Sequence, residues 1–352
     1  MNPGRLYTRR DFYFYAVALV LHSEKNSAPM KYFTLLVFFA MTMASCHNHQ
    51  KDDAGQESTG DINDVTIVID DPLWNGEVGD SIRKKLASPI EGLFQEEPLF
   101  TINQCTTKAT TDFFCHNRNI VIIKKANANA FSIKEDEFAK NQTVIHITGK
   151  NIPELISLIE KKSDTIIKRL KQGEILECQK RSAVSALDCK KIIERFRVSL
   201  KIPSSYTYAV TNDHFLWLKK EIPSGNASIL IYQVPMSSIL KNQNIIQHIV
   251  KNRDSIGNLY VHGTQAGTYM ISEESYSPYI QQIKLEGRKA FETKGRWEMK
   301  NDFMSGSFQN YTIIDEKNKR ILVIEGFAYA PSIPNRDIMY ELESIVKSVK
   351  FF

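Results

Sequence analysis

An apolar run close to the N-terminus limits which part of this chain can form a folded domain. Lys31 precedes Tyr32–Met43, a nearly uninterrupted apolar stretch, and the small residues Ala44 and Ser45 follow it. A basic residue, a short apolar run and small residues at its end are the parts of a cleaved secretory signal. The run is about a dozen residues long, whereas a membrane-spanning helix needs about 20. The sequence therefore predicts a signal peptide over residues 30–45.

A cysteine, Cys46, directly follows the small residues. The sequence Met43-Ala44-Ser45-Cys46 resembles the lipobox of bacterial lipoproteins. The resemblance implies that Cys46 carries acyl chains, palmitate among them. More than one chain gives stable anchoring to a membrane, whereas a single chain binds only marginally. The alternative is a buried apolar segment followed by an unrelated cysteine. Residues 1–29 hold a second apolar run, and we interpret them as a mis-assigned leader upstream of a start at Met30.

Residues 46–60 are polar and lack apolar periodicity, which predicts a flexible tether between the membrane and the folded part. Within this tether, Gln50-Lys51-Asp52-Asp53 resembles the export signal that sends Bacteroidetes lipoproteins to the cell surface. The alternative is a solvated linker with ordinary charges. The expected location is thus the outer membrane, with the protein facing the periplasm or exposed at the cell surface.

The charge of the chain argues against nucleic acid as a partner. The 352 residues carry a formal net charge of +5, and most of it lies in the first 45 residues. The remainder, about 300 residues, is nearly neutral, whereas nucleic-acid-binding domains are strongly basic. The expected partners are the membrane, through the N-terminal acyl chains, and envelope proteins or glycans.

Strand and helix patterns alternate over residues 61–197, which predicts a first α/β domain. Short β-branched runs such as Val65–Ile69 are typical of buried strands. Asn151-Ile152-Pro153-Glu154 predicts the start of a long helix, because Asn caps a helix and Pro is favoured in its first turn. Gly173 predicts the end of this helix.

Two cysteines flank a predicted hairpin of the first domain. Strands over Pro98–Ile102 and Asn119–Ile123 are expected to pair, with Cys105 and Cys115 on either side of the tip. Such a hairpin would bring the two cysteines together for a disulfide, which an envelope location permits.

Residues 198–352 predict a second domain of a different kind. Successive strand patterns are separated by turn residues, with a helix in the middle and an amphipathic helix near the C-terminus, as in an antiparallel sheet with packed helices. The predicted fold class is therefore α+β, with two sheet-and-helix domains, the second mainly antiparallel. The order of elements in this half resembles PsbP-type domains, and the resemblance concerns the fold alone.

Two groups of residues are candidates for a ligand site or a polar pocket. Asp70 and Asp71 follow the first strand, where paired carboxylates could bind a cation or act as acid and base. The alternative is ordinary turn chemistry, with the nearby Trp74 as a core anchor. Arg296, Trp297 and Glu298 are the second group, and the alternative there is an aromatic core residue between charges of a solvated face.

Longer stretches resemble a known family. The segments that carry the resemblance are Val68–Asp80, Pro98–Phe100, Arg118–Ile122, Gly295–Met299 and Ile324–Pro331. They are similar to an uncharacterised family of Bacteroidetes lipoproteins, catalogued as a domain of unknown function. The resemblance implies a lipoprotein architecture and assigns no activity, so no catalytic residue follows from it.

The sequence holds none of the common catalytic signatures. G-x-S-x-G, H-E-x-x-H, G-x-G-x-x-G and the P-loop are absent, and the histidines lack metal-site spacing. No cofactor and no metal are therefore expected. The sequence favours a lipid-anchored cell-envelope protein that binds or assembles without catalysing a reaction. The alternatives are an envelope hydrolase that uses Asp70 or Asp71, and a carrier of a small apolar ligand in the second domain.

Overall fold

The computed structural model of the chain describes residues 55–106, 114–241 and 244–352. Cys46, the predicted signal peptide and most of the predicted tether lie outside the described residues, so the lipid anchor stays a prediction. Within the described ranges, no helix is both long and apolar enough to cross a membrane. Asp53–Phe352 group into one unit that contains both sheets.

The first sheet is mostly parallel. Its strands are β1 (Asp64–Val68), β2 (Thr101–Cys105), β3 (Asn119–Lys125), β4 (Ala130–Glu135) and β5 (Thr143–Gly149), in the order β2-β1-β3-β5-β4. All pairs are parallel except the pair of β4 with β5 at the edge. The strands β2 and β3 lie on opposite sides of β1, so the predicted hairpin between them is wrong. Their apolar patterns suit pairing with β1 as well as with each other, so the sequence could not decide between the two.

The pairing of Cys105 with Cys115 is predicted from a hairpin of β2 and β3, and these two strands do not pair with each other. Cys105 ends β2 as a buried free thiol. Burial raises the pKa of Cys105, and the neighbouring Cys115 raises it further. A disulfide between the two residues stays a prediction.

Helices pack on one face of the first sheet. They are α1 (Asp71–Trp74), α2 (Glu77–Leu86) and α3 (Ile152–Val184). The start of α3 is confirmed, because the Asn151 side chain accepts a hydrogen bond from the Glu154 N–H at 3.0 Å. The predicted end at Gly173 is wrong. The helix continues to Val184 because Glu174 and Cys178, on its later turns, are buried against the rest of the protein.

The second sheet is antiparallel. Its strands are β7 (Thr207–Thr211), β8 (Phe215–Ile222), β9 (Gly225–Pro235), β10 (Tyr269–Ser272), β11 (Tyr279–Leu285), β12 (Arg288–Lys300), β13 (Ser305–Asp315) and β14 (Arg320–Tyr329). The order is β10-β12-β13-β14-β9-β8-β7, and β11 pairs with the other end of β12. A small pair joins β6 (Val198–Ser199) to β15 (Lys350–Phe351). The predicted α+β class with two sheet-and-helix domains is confirmed.

Helices cover both faces of the second sheet. They are α4 (Lys190–Phe196), α5 (Ser237–Leu240), α6 (Ile245–Tyr260) and α7 (Arg336–Lys347). Successive strand residues point to opposite faces, and accordingly Ile313 packs in the core under α4 and α7 while Ile314 packs in the core under α6. Ile192 and Phe196 of α4 belong to the core under α7, although the sequence analysis places α4 in the first domain.

One segment of the first half is built into the second half, and we call residues 88–100 the interlock segment. Its Leu93 is buried in the core under α7. Its Glu97 carboxylate accepts hydrogen bonds from the N–H groups of Asn335 at 2.6 Å and Arg336 at 3.0 Å. A carboxylate at this position satisfies helix donors that lack a partner in the first turn and complements the helix dipole. Two contacts therefore join the two halves of the chain. One is the interlock segment, and the other is the packing of α3 against α7.

Candidate functional site

The helical layer leaves part of the second sheet uncovered. Helix α7 packs over β9, β13 and β14, and α3 packs beside α7. Between α3 and the exposed face of β11 and β12 there is a solvent-open groove of about 1140 Å³. We call this space the α3–β11 groove.

A tight turn positions the strands that form the groove floor. The strands β11 and β12 are joined by the two residues Glu286 and Gly287, between the paired residues Leu285 and Arg288. Both turn residues have left-handed φ values, 46° and 75°. Two left-handed residues are typical of a type I′ turn, whose twist matches that of the strands. The turn therefore fixes the register of the whole hairpin.

This register places polar side chains on the floor of the groove. Tyr279 pairs with Lys294, and Gln281 pairs with Glu292. Cross-strand partners and residues two apart share one face of a sheet. All four residues accordingly line the groove.

The floor and the adjacent helix α7 share a network of ion pairs. The Lys294 ammonium donates to Glu343 Oε2 at 3.1 Å and lies 3.6 Å from Glu292 Oε1. Lys347 also donates to the Glu343 carboxylate. Tyr311 donates its hydroxyl proton to Glu292 Oε1 at 2.5 Å. The carboxylates of Glu292, on the floor, and of Glu343, on α7, are therefore engaged by cationic or hydroxyl donors.

The pKa values of these groups follow from burial and pairing. Burial disfavours the charged form of Lys294, but the carboxylates of Glu343 and Glu292 outweigh it and raise the pKa of Lys294. Burial likewise opposes ionisation of Glu343, and the attraction of Lys294 and Lys347 outweighs it and lowers the pKa of Glu343. Both groups therefore stay charged at neutral pH.

Lys171 of α3 faces the same groove in a different situation. Its side chain is half-buried and lines both the groove and a small cavity of about 40 Å³ beneath it. Among the described residues, no carboxylate lies within ion-pair distance of its ammonium group. Burial lowers the pKa of Lys171 and the neighbouring charge of Lys294 lowers it further, and together they outweigh the opposing attraction of the Glu343 carboxylate. Its main chain is fixed, because the Tyr340 hydroxyl donates to the Lys171 carbonyl at 2.8 Å.

Apolar side chains form the rim of the groove. Leu176 of α3 is 62% exposed, and on β11 Tyr279 is 47% and Ile280 39% exposed. Ile167 and Ile175 of α3 also line the groove and are half-buried. The groove thus combines a charged floor with an apolar rim, which suits an elongated ligand with anionic and apolar groups.

The first pair of candidate carboxylates belongs to the first sheet and lies outside the groove. Asp70 and Asp71 follow β1, and the carbonyl of Asp70 accepts the N–H groups of Leu73 and Trp74 at 3.0 Å. The Asp71 carboxylate accepts a hydrogen bond from Gln104 at 3.2 Å. These contacts are those of a strand-to-helix turn. The catalytic role suggested for this pair stays a prediction.

Trp74 packs half-buried against the first core. The Arg83 guanidinium lies over its ring, 4.3 Å from the centroid. Such a cation–π contact holds Trp74 as part of the α1–α2 corner.

The second group of candidates is distributed over two faces of β12. Trp297 is buried, and its indole N–H donates to the Ala328 carbonyl at 3.1 Å. Arg296 points to the opposite face and donates to the Leu93 carbonyl at 3.0 Å, which fastens the interlock segment. Glu298 is half-buried and lines a shallow surface depression. The structure therefore does not bring Arg296 and Trp297 into one polar pocket.

Sequence reasoning missed the groove for two reasons. The strand β11 was not predicted, because its adjacent residues Gln281 and Gln282 interrupt the apolar alternation. Lys171 lies in a helix that is rich in lysine, so its position gave no signal.

The residues of the groove are suited to bind a charged ligand. Among the residues that the structure describes, no group of three or more histidine, cysteine, aspartate or glutamate side chains is arranged to hold a metal ion. Four histidines form hydrogen bonds to a carboxylate, an amide side chain or a main-chain carbonyl, and none of these bonds is to a serine, threonine or cysteine nucleophile. They join His146 to Glu137, His214 to Gln233, His248 to the Ile239 carbonyl and His262 to the Asn258 carbonyl. A half-buried ammonium that no described carboxylate pairs favours an incoming anion.

Comparison with known families divides the chain near the end of α3. Residues 58–183 match the family described as "Domain of unknown function (DUF8532)", and residues 185–348 match "Domain of unknown function (DUF4837)". Two domains of unknown function thus cover the chain, which is consistent with an uncharacterised family. No curated protein matches the chain.

Two solved structures show a faint likeness to part of the chain. They are the Ran-binding protein Mog1p of Saccharomyces cerevisiae and a point mutant of protein Mog1. The identities are 11% and 12%, and each match covers 44% of this chain and 90% of the other, with a TM-score of 0.31. A TM-score this low supports no argument about fold or function.

Proposed function

We propose that this chain is a cell-envelope protein, anchored through acyl chains on Cys46, that binds an anionic ligand in the α3–β11 groove without turning it over. The observation that carries the proposal is the ammonium group of Lys171. It is half-buried and lacks a carboxylate partner among the described residues, although three other charged clusters of this protein are paired. A partly desolvated charge without a partner is costly in free energy, and an anionic ligand would supply the partner.

The arrangement of the groove supports binding more than catalysis. A general acid or base needs a free position to exchange a proton with a substrate. Glu343 is shared by two ammonium groups, and Glu292 holds the Tyr311 hydroxyl. Lys171, by contrast, faces open space and acts as a positive electrostatic anchor.

A site-specific cross-linking experiment tests the location of the binding site. A photoreactive residue replaces Leu176 at the groove rim, and in a control variant it replaces Leu259 of α6, which is 60% exposed and does not line the groove. In intact cells we expect adducts from position 176 and none from position 259. The substitution Lys171→Gln should abolish the adducts from position 176. Equal adducts from both positions, or adducts that persist in Lys171→Gln, contradict the proposal.

The anchor is tested by intact mass. Protein extracted from native membranes should begin at Cys46 and carry the mass of its acyl chains. Protease treatment of whole cells then separates a surface location, where the protein is lost, from a location inside the envelope. A protein that begins at Met1 without acyl chains contradicts the anchor.

A further inference from the structure

We infer that the ligand of the groove is an extended acidic peptide segment of a partner protein, which adds to the second sheet as a strand beside β11. The inference rests on the proposed function, since it specifies which anionic ligand the groove takes. Two independent features carry it: the unpaired edge of β11 in the described structure and the positive charge of the wall above it.

The edge of β11 is available for pairing. In the described part of the chain, β11 pairs with β12 and with no other strand. It is seven residues long and exposed over most of its length. An exposed strand edge presents rows of N–H and C=O groups to which another chain can pair.

The register shows which main-chain groups are free. Leu285 and Arg288 flank the two-residue turn and therefore exchange both of their hydrogen bonds. Hydrogen-bonded and non-hydrogen-bonded pairs alternate along an antiparallel ladder. The alternate residues Ile280, Gln282 and Lys284 consequently direct their N–H and C=O groups away from β12, toward the open edge.

The natural occupant of such an edge is an extended peptide, because main-chain hydrogen bonds supply affinity and alternate side chains supply specificity. An added strand would lie about 4.8 Å from β11. Every second side chain of it would point to the groove face, beside Tyr279 and Gln281. The apolar rim residues Leu176 and Ile280 would contact its apolar side chains.

The charges of the wall select an acidic sequence. Lys168 and Lys171 lie one helical turn apart on α3 and line the groove, and within the described ranges neither has a carboxylate in ion-pair distance. Glu91, Asp164 and Lys168 are exposed, so water screens these three charges, whereas Lys171 is half-buried and its charge is screened less. An acidic side chain on the groove side of the added strand would meet positive potential.

The same charges disfavour a second copy of this chain as the occupant. Pairing of two β11 strands would bring Lys284 and the α3 lysines of both copies to one seam. Like charges across strands are destabilising, and an edge lysine is a common protection against self-pairing.

The test uses the full chain from Cys46 onward, without lipid, and a fluorescent peptide of about eight residues with alternating valine and glutamate, a length that matches β11. Control peptides carry glutamine or lysine in place of glutamate. We expect the glutamate peptide to bind and the lysine peptide not to bind. The variant Gln282→Pro lacks the outward N–H and should weaken binding about tenfold or more, whereas Gln282→Ala keeps it and should bind within about twofold of the wild type.

N-methylated peptides give the same answer without changing the protein. Methylation of every second amide removes the donors of one edge of the peptide, so one methylation pattern should abolish binding and the other should preserve it. If Lys171→Gln weakens binding but neither Gln282→Pro nor any methylation pattern does, strand addition is overturned while groove binding stands. If the glutamate peptide does not bind, the acidic-peptide assignment is overturned. If Gln282→Pro instead dissociates a dimer of the wild-type chain, a second copy occupies the edge and the inference is wrong.

Discussion

Helix α3 carries two charged residues one turn apart that have opposite environments. The Glu174 carboxylate is fully buried and accepts four hydrogen bonds: from Arg118 Nε at 2.6 Å and Nη2 at 3.0 Å, from Asn119 at 2.6 Å and from the Asn63 N–H at 2.8 Å. Lys171 is half-buried beside the groove and has no such partner among the described residues. The Glu174 carboxylate is fully hydrogen-bonded within the fold, whereas the Lys171 ammonium is accessible from the groove.

The difference teaches how to separate structural charge from functional charge in a protein without known activity. A buried charge whose hydrogen-bonding capacity is filled contributes to the fold, and removal of its partner is destabilising. A partly buried charge with open space in front of it and no partner costs stability. Such a cost is typical of binding sites, where stability is exchanged for function. The predictions below test this contrast.

The largest expected effect is at Glu174. The substitution Glu174→Gln leaves the Arg118 guanidinium buried without a counter-charge, and the free energy of unfolding should fall by about 3–5 kcal/mol. Urea denaturation measures this. Glu177→Gln is the control, because Glu177 lies 4.0 Å from Arg118 and pairs with the exposed Arg181, so its loss should be below about 1 kcal/mol. Equal small losses in both variants would show that this cluster is not structural.

A smaller loss is expected at Glu343, on the wall of the groove. Glu343→Gln removes the carboxylate shared by Lys294 and Lys347, while Lys294 keeps Glu292 at 3.6 Å. The free energy of unfolding should fall by about 1–3 kcal/mol. In the control Lys347→Gln, water replaces a partly exposed partner, and the loss should stay below about 1 kcal/mol. A loss at Glu343 as large as that at Glu174 would remove the contrast between the two regions.

The acid dependence of stability should come in part from the same carboxylate. The pKa of Glu343 is lowered in the folded state from its ordinary value of 4.5. Its stabilising contribution is therefore present above pH 4.5 and is lost as the pH falls toward the folded-state pKa. Denaturation of the wild type and Glu343→Gln across acidic pH should show a shallower decline in the variant. Parallel curves would contradict this assignment.

The smallest effect on stability, with the opposite sign, is expected at Lys171. Lys171→Gln removes an ammonium that burial and Lys294 disfavour, so the free energy of unfolding should stay the same or rise by up to about 1 kcal/mol. The lowered pKa also makes wild-type stability rise with pH between that pKa and the ordinary 10.5, because the unfolded chain then binds more protons. Denaturation at neutral and alkaline pH should show this rise in the wild type and not in the variant. A large destabilisation would give Lys171 a structural role.

The sequence predicted most elements whose signal is local. The Asn151 cap, the strand near Val65 and the amphipathic helix α7 follow from capping chemistry and periodicity, and the structure has all three. The end of α3 was missed because burial of residues after Gly173 outweighs the local preference of glycine. The pairing of β2 and β3 with β1 was missed because strand pairing is a non-local property.

The groove could not be predicted for a related reason. It arises where α3, from the first half of the chain, lies beside α7 over a hairpin of the second half, so its residues are distant in sequence. The local signals pointed to Asp70 and to Arg296, which belong to a turn and to the contact with the interlock segment. Whether a residue such as Lys171 has a carboxylate partner depends on distances between side chains in the folded structure, which the sequence does not show.

The interlock segment has a consequence for the order in which this protein is made. During synthesis, Leu93 and Glu97 leave the ribosome long before α7. The interlock segment is therefore available before the core under α7 can form. A fragment that begins at residue 198 would lack Leu93 in its core and the carboxylate at the start of α7. The regions that match the two families of unknown function therefore share one core, and the second half completes this core only when the interlock segment is in place.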